Sequence, residues 1–538
     1  MPQLSQPTLK LISRYQNWDQ SIQPKEGTST IHVDEVASKM AAFYEKIRGI
    51  VDWKEEHLMR RTAIIRKLKR YFVNWELGNF NIEIAEPLIL ELIRGGHFPN
   101  DKIEEIKITE AQKIINKYIF ILKNAPTIKS GRETLQFYNW ILGVAACEIE
   151  ECLSPFIKEK ALIDYMFELM KERIKLNEEI IKIGGMKEEE KNIQIYIAVQ
   201  QALFKLDTPI ISYNLLKYRF PQWKNVTREW LAEFAKNIYN VWQRIEVDLS
   251  HPLGKKFYTI CEKYDTPYLL LGDALSEENL EEVSKKITNP EILEGLIKKA
   301  YNKRLSTLKK RLFRAAFYST LSIFLTNSLS LVVLEIPLAK LITGTFQPIT
   351  ILVDILGPTF LMFLLVVTIK PPSKSNLDYV ILETMKIVYQ RDKIDTYEIK
   401  IPKKRGLITR FIITIIYLLG ACVTLGVIFW IFEFAGFPPT SVIINIIFVA
   451  LIVFAGLAIR KRAEELTVEE KPTGFFSFLA DILLLPVAGL GRWLSTKWKK
   501  YNAIAAFFNA LIDMPFLVFV EFIERWRFFL KEKKEEIH

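Results

Sequence analysis

Cysteine and histidine are both scarce in this chain of 538 residues. The four cysteines, Cys147, Cys152, Cys261 and Cys422, make no disulfide framework in a chain of this length. Cys147 and Cys152 stand five apart in a segment of helical spacing, about 140° apart around the axis, an awkward pair for one metal. They are expected to be structural thiols. The five histidines, at positions 32, 57, 97, 251 and 538, have no sequence-local Cys or Asp partner of the kind a triad uses. H-E-x-x-H is absent, and Gly254-Lys255-Lys256 lacks the earlier glycine and the Ser/Thr of a phosphate-binding loop. There is no G-x-S-x-G elbow and no kinase signature set. No catalytic, metal or cofactor-binding residue is therefore assigned, no cofactor is expected, and the chain is read as a non-enzyme.

Long apolar runs are absent from the first 300 residues. Four then follow, at 315–334, 349–369, 411–432 and 441–459. Each has about the 20 residues a helix needs to cross a hydrocarbon core. The first holds no ionisable side chain and the second holds one, Asp354.

Charge follows the same division. The net charge of +11 invites a nucleic-acid reading, but residues 1–297 hold 41 Lys and Arg against 43 Asp and Glu. The basic excess lies wholly in the remainder, where it reports topology and contact with anionic lipid headgroups. No nucleic-acid partner is expected. Segment 298–314 carries eight Lys and Arg with no acid, loop 370–410 carries ten, and Arg460-Lys461-Arg462 follows the last run. The two other connections, 335–348 and 433–440, contain one Lys between them. This alternation places the basic loops in the cytoplasm. The first residues carry no apolar core of signal-peptide type. A multi-pass protein of the cell membrane with both termini cytoplasmic is expected.

The fold class predicted is all-α. A flexible N-terminus is expected over 1–33, a large helical cytosolic domain over 34–297 and a basic juxtamembrane helix over 298–314. A four-span membrane domain follows over 315–460, with the cytoplasmic loop 370–410 inside it. Asp34 caps a helical pattern, and later helices are predicted near 83–95, 103–123, 131–153, 159–183, 190–205, 227–246 and 277–312. In the loop, Leu377, Val380, Ile381, Met385, Ile387 and Val388 outline an amphipathic helix, and residues 397–401 a short strand. This loop is expected to pack on the head or lie on the membrane.

Residues 461–538 are predicted to form amphipathic helices, interfacial or re-entrant, rather than a fifth and sixth span. The pattern F-F-x-x-L-x-D occurs at 475–481 and again at 507–513, each followed by a proline and an Arg-Trp pair. As spans, these segments would place Asp481 and Asp513 within the bilayer and leave a basic link outside, against the positive-inside rule. As interfacial helices they set Trp493, Trp498 and Trp526 at headgroup depth.

The cluster Lys54-Glu55-Glu56-His57 puts its acids and histidine side by side, whereas a helical metal site wants ligands three or four apart. A solvated charged face is the expectation. Arg60, Arg61, Arg66, Lys67, Lys69 and Arg70 form a basic strip suited to lipid headgroups or a protein partner. Two functions follow. The first is a membrane-anchored scaffold or adaptor that engages a protein partner at the cytoplasmic face. The second is a channel or transporter regulated by the head, with Asp354, and with it Asp481 and Asp513, on the path. Four spans per chain would need a homo-oligomer to enclose a pore.

Overall fold

The structure, a computed structural model, describes residues 3–22, 29–33, 60–69, 83–95, 97–126, 131–177, 186–277, 286–332, 337, 348–390, 394–399, 406–434, 436, 439–468, 475–500, 522 and 526. Helix dominates, as the absence of alternating patterns predicts. Asp513, Arg70, the helix expected from Asp34 and the Glu55–His57 cluster lie outside the described residues.

The chain begins with a helix, α1 (Gln6–Ile22), where a flexible N-terminus is expected. That expectation is corrected over this stretch. Leu11, Ile12 and Tyr15 recur at a spacing of one helical turn and are buried in the main core. Glycine, proline and polar residues flank the helix and conceal it in composition.

The head continues through α2 (Ala85–Arg94), α3 (Ile106–Asn124), α4 (Gly131–Leu153) and α5 (Ile157–Arg173). After the strand β1 (Ile174–Leu176) come α6 (Glu188–Phe204), α7 (Thr208–Arg219), α8 (Arg228–Leu249), α9 (Gly254–Lys263) and α10 (Asp265–Glu277). Helix α5 ends at Arg173, short of the predicted 183, because the chain there turns extended to pair with β2 (Tyr397–Ile399). Helix starts follow local capping chemistry. Thr227 accepts a hydrogen bond from the Trp230 amide at 3.3 Å before α8. Asn289 accepts from Glu291 N at 3.0 Å, with Pro290 at the first helical position of α11 (Pro290–Ser330).

At 41 residues, α11 is about 60 Å long. Its first turns bury Leu293, Ile297 and Tyr301 in the head core, and its later turns expose Phe313, Phe317 and Leu325. Four more helices accompany that far end: α12 (Pro348–Val367), α14 (Leu407–Phe434), α15 (Pro439–Ala463) and α16 (Phe475–Lys500). Among the described residues, two helices, Leu407–Phe434 and Val442–Ala463, are long and apolar enough to cross a membrane. The other expected runs fall on the end of α11 and on α12, where Ile355–Val367 forms a shorter apolar helix.

Helix α16 meets the middle of α14 and α15 rather than their ends. Thr424 Oγ1 donates to the Leu483 carbonyl at 3.0 Å, and Val487 and Ala488 pack with Ala450 and Val453. A Cβ at Gly491 would collide with the Ala450 carbonyl, so only glycine permits this approach. Pro486 lies inside α16 and removes the amide that would bond the Ile482 carbonyl, which faces Gly420 of α14.

The loop between α12 and α14 belongs to the head. It forms α13 (Ser375–Val388) and then β2, which pairs in parallel with β1 as Ile174↔Tyr397, Lys175↔Glu398 and Leu176↔Ile399. Val380, Ile387, Val388 and Ile399 join the same core cluster as α1 through α10. The last carbonyls of α13 have no intrahelical donor. Head side chains supply it: Tyr165 Oη reaches the Ile387 carbonyl at 2.9 Å, Thr8 Oγ1 that of Val388 at 3.1 Å, and Arg173 Nη2 that of Lys386 at 3.3 Å. Asn376, fully buried, donates to Tyr301 Oη at 3.0 Å and to the Leu466 carbonyl at 2.8 Å. It also accepts from Val468 N at 2.8 Å. One amide thus ties α11, α13 and the strap after α15 together. Asn376→Ala strands three buried polar groups and is expected to cost about 2–4 kcal/mol. Denaturant unfolding of the purified chain checks this, and an unchanged midpoint would show that the strap is held elsewhere.

Candidate functional site

The head's most unusual residues sit on α4, in the string Cys147-Glu148-Ile149-Glu150-Glu151. An amphipathic helix would turn such acids to solvent. Here every residue from Trp140 to Glu150 is buried, because helices pack on several sides, α3, α7 and α8 among them. Each acid therefore needs a partner.

Glu148 accepts hydrogen bonds from Lys117 Nζ, from Tyr118 Oη at 2.7 Å and from Trp223 Nε1 at 3.0 Å. The Lys117 ammonium also lies 4.5 Å from the Trp223 ring centroid. Burial pulls Lys117 below the usual ammonium range, and Glu148 opposes that pull. Glu151 accepts from Lys217 Nζ at 2.6 Å. Burial works against ionisation of Glu151, yet Lys217 and Tyr213 hold it below the usual carboxylate range.

Glu150, fully buried, faces Arg61, whose Nε lies 3.4 Å from one carboxylate oxygen while its Nη1 bonds Asp207. Among the described residues the other Glu150 oxygen has no hydrogen-bond partner. Burial pushes Glu150 up to about 7, against the pull of Arg61.

The predicted basic strip is divided by this array. Arg61 and Lys67 are 2% and 5% exposed, and Lys67 pairs with Glu91, so the expected contact of these two with lipid or a partner is corrected. They turn inward because buried carboxylates await them. Arg60 lies half-buried over the Phe98 ring at 5.6 Å, and Arg66 is half-buried. Of the other expected site residues, Asp354 falls on α12, Asp481 and Trp498 fall on α16, and Trp493 and Trp526 are exposed.

A cavity of about 90 Å³ adjoins the array, lined by Arg61, Cys147, Glu151, Tyr196, Tyr213 and Lys217 among others. Burial pushes the Cys147 thiol well above the ordinary range, which disfavours the reactive thiolate. Among the described residues no three His, Cys, Asp or Glu side chains gather as a metal site requires.

A second concentration of charge lies where the head meets the end of α15. Thr266 Oγ1 lies 3.2 Å from Asp265 Oδ1 and 3.4 Å from the Glu465 carbonyl, while Glu262 pairs with Lys205 at 3.3 Å and with Lys461 at 3.7 Å. Burial pushes Asp265 up to about 8, with Lys205 opposing. Sequence reasoning missed Glu148, Glu150, Asp265 and Asn376. The only local signal was acids inside the otherwise apolar stretch ILGVAACEIEECL.

No protein-family model matches the chain, and neither a curated protein nor a solved structure matches it.

The raised acids set the pH dependence of stability. A carboxyl with a higher pKa folded than unfolded binds more protons when folded, so its contribution falls as pH rises between the two values. For Glu150 that window runs from about 4.5 to about 7 and amounts to about 3 kcal/mol. Glu150→Gln is expected to flatten the stability profile over this window, and Asp265→Asn to do so from about 4 to about 8. Unfolding midpoints measured from pH 5 to 8.5 decide it. Glu148→Ala, which leaves Lys117 buried without its carboxylate, is expected to cost about 3–5 kcal/mol while Lys117 stays protonated.

Proposed function

We propose that the chain is a multi-pass membrane protein whose helical head is fixed at the cytoplasmic face, where it serves as a scaffold for protein partners. One observation carries the proposal: the connection between α12 and α14 lies inside the head's own core as α13 and β2. Whatever membrane holds α14 and α15 therefore also sets the height and orientation of the head. A scaffold needs that property, because it presents a surface in one pose.

Several features support the membrane placement. Only 6% of the most apolar stretch of α14 is buried, which suits a helix facing lipid. The end of α11 and α12 pack with α15 around Met362, Ile452 and Ile459, which supports reading them as the remaining two spans. The basic alternation then directs the head inward. The contact of α16 with the middle of α14 and α15 favours a re-entrant segment over one lying flat in the interface.

Transport is the second reading. In its favour, Pro358 removes the amide that would bond the Asp354 carbonyl in the helix that carries this carboxylate. Against it, Asn327 and Asn445, buried on the packed helices α11 and α15, suit interhelical hydrogen bonding rather than a charge path.

Two measurements test the proposal. In a chain with the four native cysteines replaced, Thr440→Cys should label from outside intact cells with an impermeant maleimide. Ser375→Cys and Thr496→Cys should label only after permeabilisation. External labelling at 375 would sink the orientation, and external labelling at 496 would turn α16 into a further span. In proteoliposomes the whole chain should pass no ions above empty vesicles. A flux abolished by Asp354→Asn would replace the scaffold with a transporter.

A further inference from the structure

The cations of α11 change partners part-way along the helix. Within the head they are paired: Lys298 bonds Glu294 at 2.5 Å, and Arg304 Nη2 reaches Asp273 at 2.9 Å. Beyond Leu308 they are not. Lys309, Lys310, Arg311 and Arg314 are exposed, and none has an acidic partner among the described residues. Helical geometry explains the sorting. Leu308, Leu312 and Ala315 recur at one-turn spacing on the packed side, which turns Lys310 and Arg314 outward and leaves Arg311 exposed at its flank. Phe313, 73% exposed, sits among these cations, and exposed Phe317 and Leu321 follow it along the helix.

Neighbouring helices place more positive charge at this level. Leu312 packs in the same cluster as Ile369 and Ile459, so Lys370 and Arg462 lie close to the same height, exposed and without an acidic partner among the described residues. Arg460 and Lys461 stand beside them but are engaged by Glu464 and Glu262.

We infer that Lys309, Lys310, Arg311 and Arg314, with Lys370 and Arg462, form a binding band for the phosphate groups of anionic lipids, with Phe313 entering the bilayer beside them. This rests on the membrane reading above and deepens it by naming the lipid class. Charge complementarity selects the occupant. Unpaired cations bordering exposed aromatic and aliphatic side chains match a surface that is anionic outside and apolar within. Long stems let the lysines and arginines keep their charges at headgroup height while the chain lies against lipid. An acidic protein would match the charge but leave Phe313, Phe317 and Leu321 without an apolar counterpart.

The purified full-length chain, reconstituted in phosphatidylcholine bilayers, would be probed by electron spin resonance with trace spin-labelled phosphatidylglycerol or phosphatidylcholine. The wild-type chain should restrict the anionic label about threefold or more over the zwitterionic one at low salt, and less in 0.5 M NaCl. The combined change Lys309→Gln, Lys310→Gln, Arg311→Gln and Arg314→Gln should abolish the preference. The charge-keeping pair Lys309→Arg and Lys310→Arg should retain it. Equal restriction of both labels by the wild-type chain would overturn the inference and leave an acidic protein as the remaining occupant. A full preference in the Gln variant would overturn it as well. So would displacement of the anionic label by inorganic phosphate beyond that by chloride at matched ionic strength, since a free-phosphate site would then be present. If neither label is restricted at all, the membrane reading itself fails, a result separate from a loss of selectivity.

Discussion

Backbone carbonyls buried away from water must find donors, and the last turn of α13 obeys this constraint in a way that organises the whole chain. Its donors come from α1 and α5, not from its own neighbourhood. The Asn376 amide adds α11 and the strap after α15 to the same arrangement. The loop between two apolar helices is thereby a structural part of the head, and the head is incomplete without it. Remove these bonds and the sheet register, the end of α13 and the seat of the strap lose their definition together.

The buried acids of α4 obey the related rule that a desolvated charge needs a partner. Glu148 is surrounded by three donors, and Glu151 has a lysine at hydrogen-bonding distance. Such pairs add little net stability compared with apolar side chains of the same volume, since desolvation consumes much of the Coulombic gain. Their effect is on which alternatives are tolerated. A register shift that buried any one acid without its cation would cost several kcal/mol, on the order of a domain's whole stability. Glu150 is the member with the least complete shell, and burial raises its proton affinity.

Several helices of the head were legible where apolar residues recur every three or four positions, and 131–153 matches its predicted bounds, but α7, α9 and α10 were not predicted and the helix expected over 277–312 begins at Pro290. The helix of the loop was legible for the same reason and its strand from a short alternating stretch, but the sequence left open whether the loop packs on the head or lies on the membrane. The burial of Arg61 and Lys67 was not, because a basic strip looks the same in sequence whether solvent or carboxylates face it. Acids 89 and 146 positions away from Arg61 decide the matter. Helix α1 was hidden by its composition, and its burial depends on α5 and α10. The α4 array left one local sign, acids in an apolar stretch, but its partners come from four other segments. Position along the chain carries no record of such distances.

The bond between Ser5 Oγ and the Ile387 carbonyl joins residues 382 positions apart. A ribosome adding about 5–20 residues per second delivers the second partner roughly 20 to 80 s after the first. During that interval α1 has emerged, but the segment that seats it has not been made. The apolar helices that precede α13 must be handled meanwhile, so the head stays open at one edge throughout their synthesis. Maturation of the N-terminal domain therefore waits on the handling of segments encoded after it. A translational stop placed between α12 and α13 would release a head that is full-length by sequence and unfinished at its core.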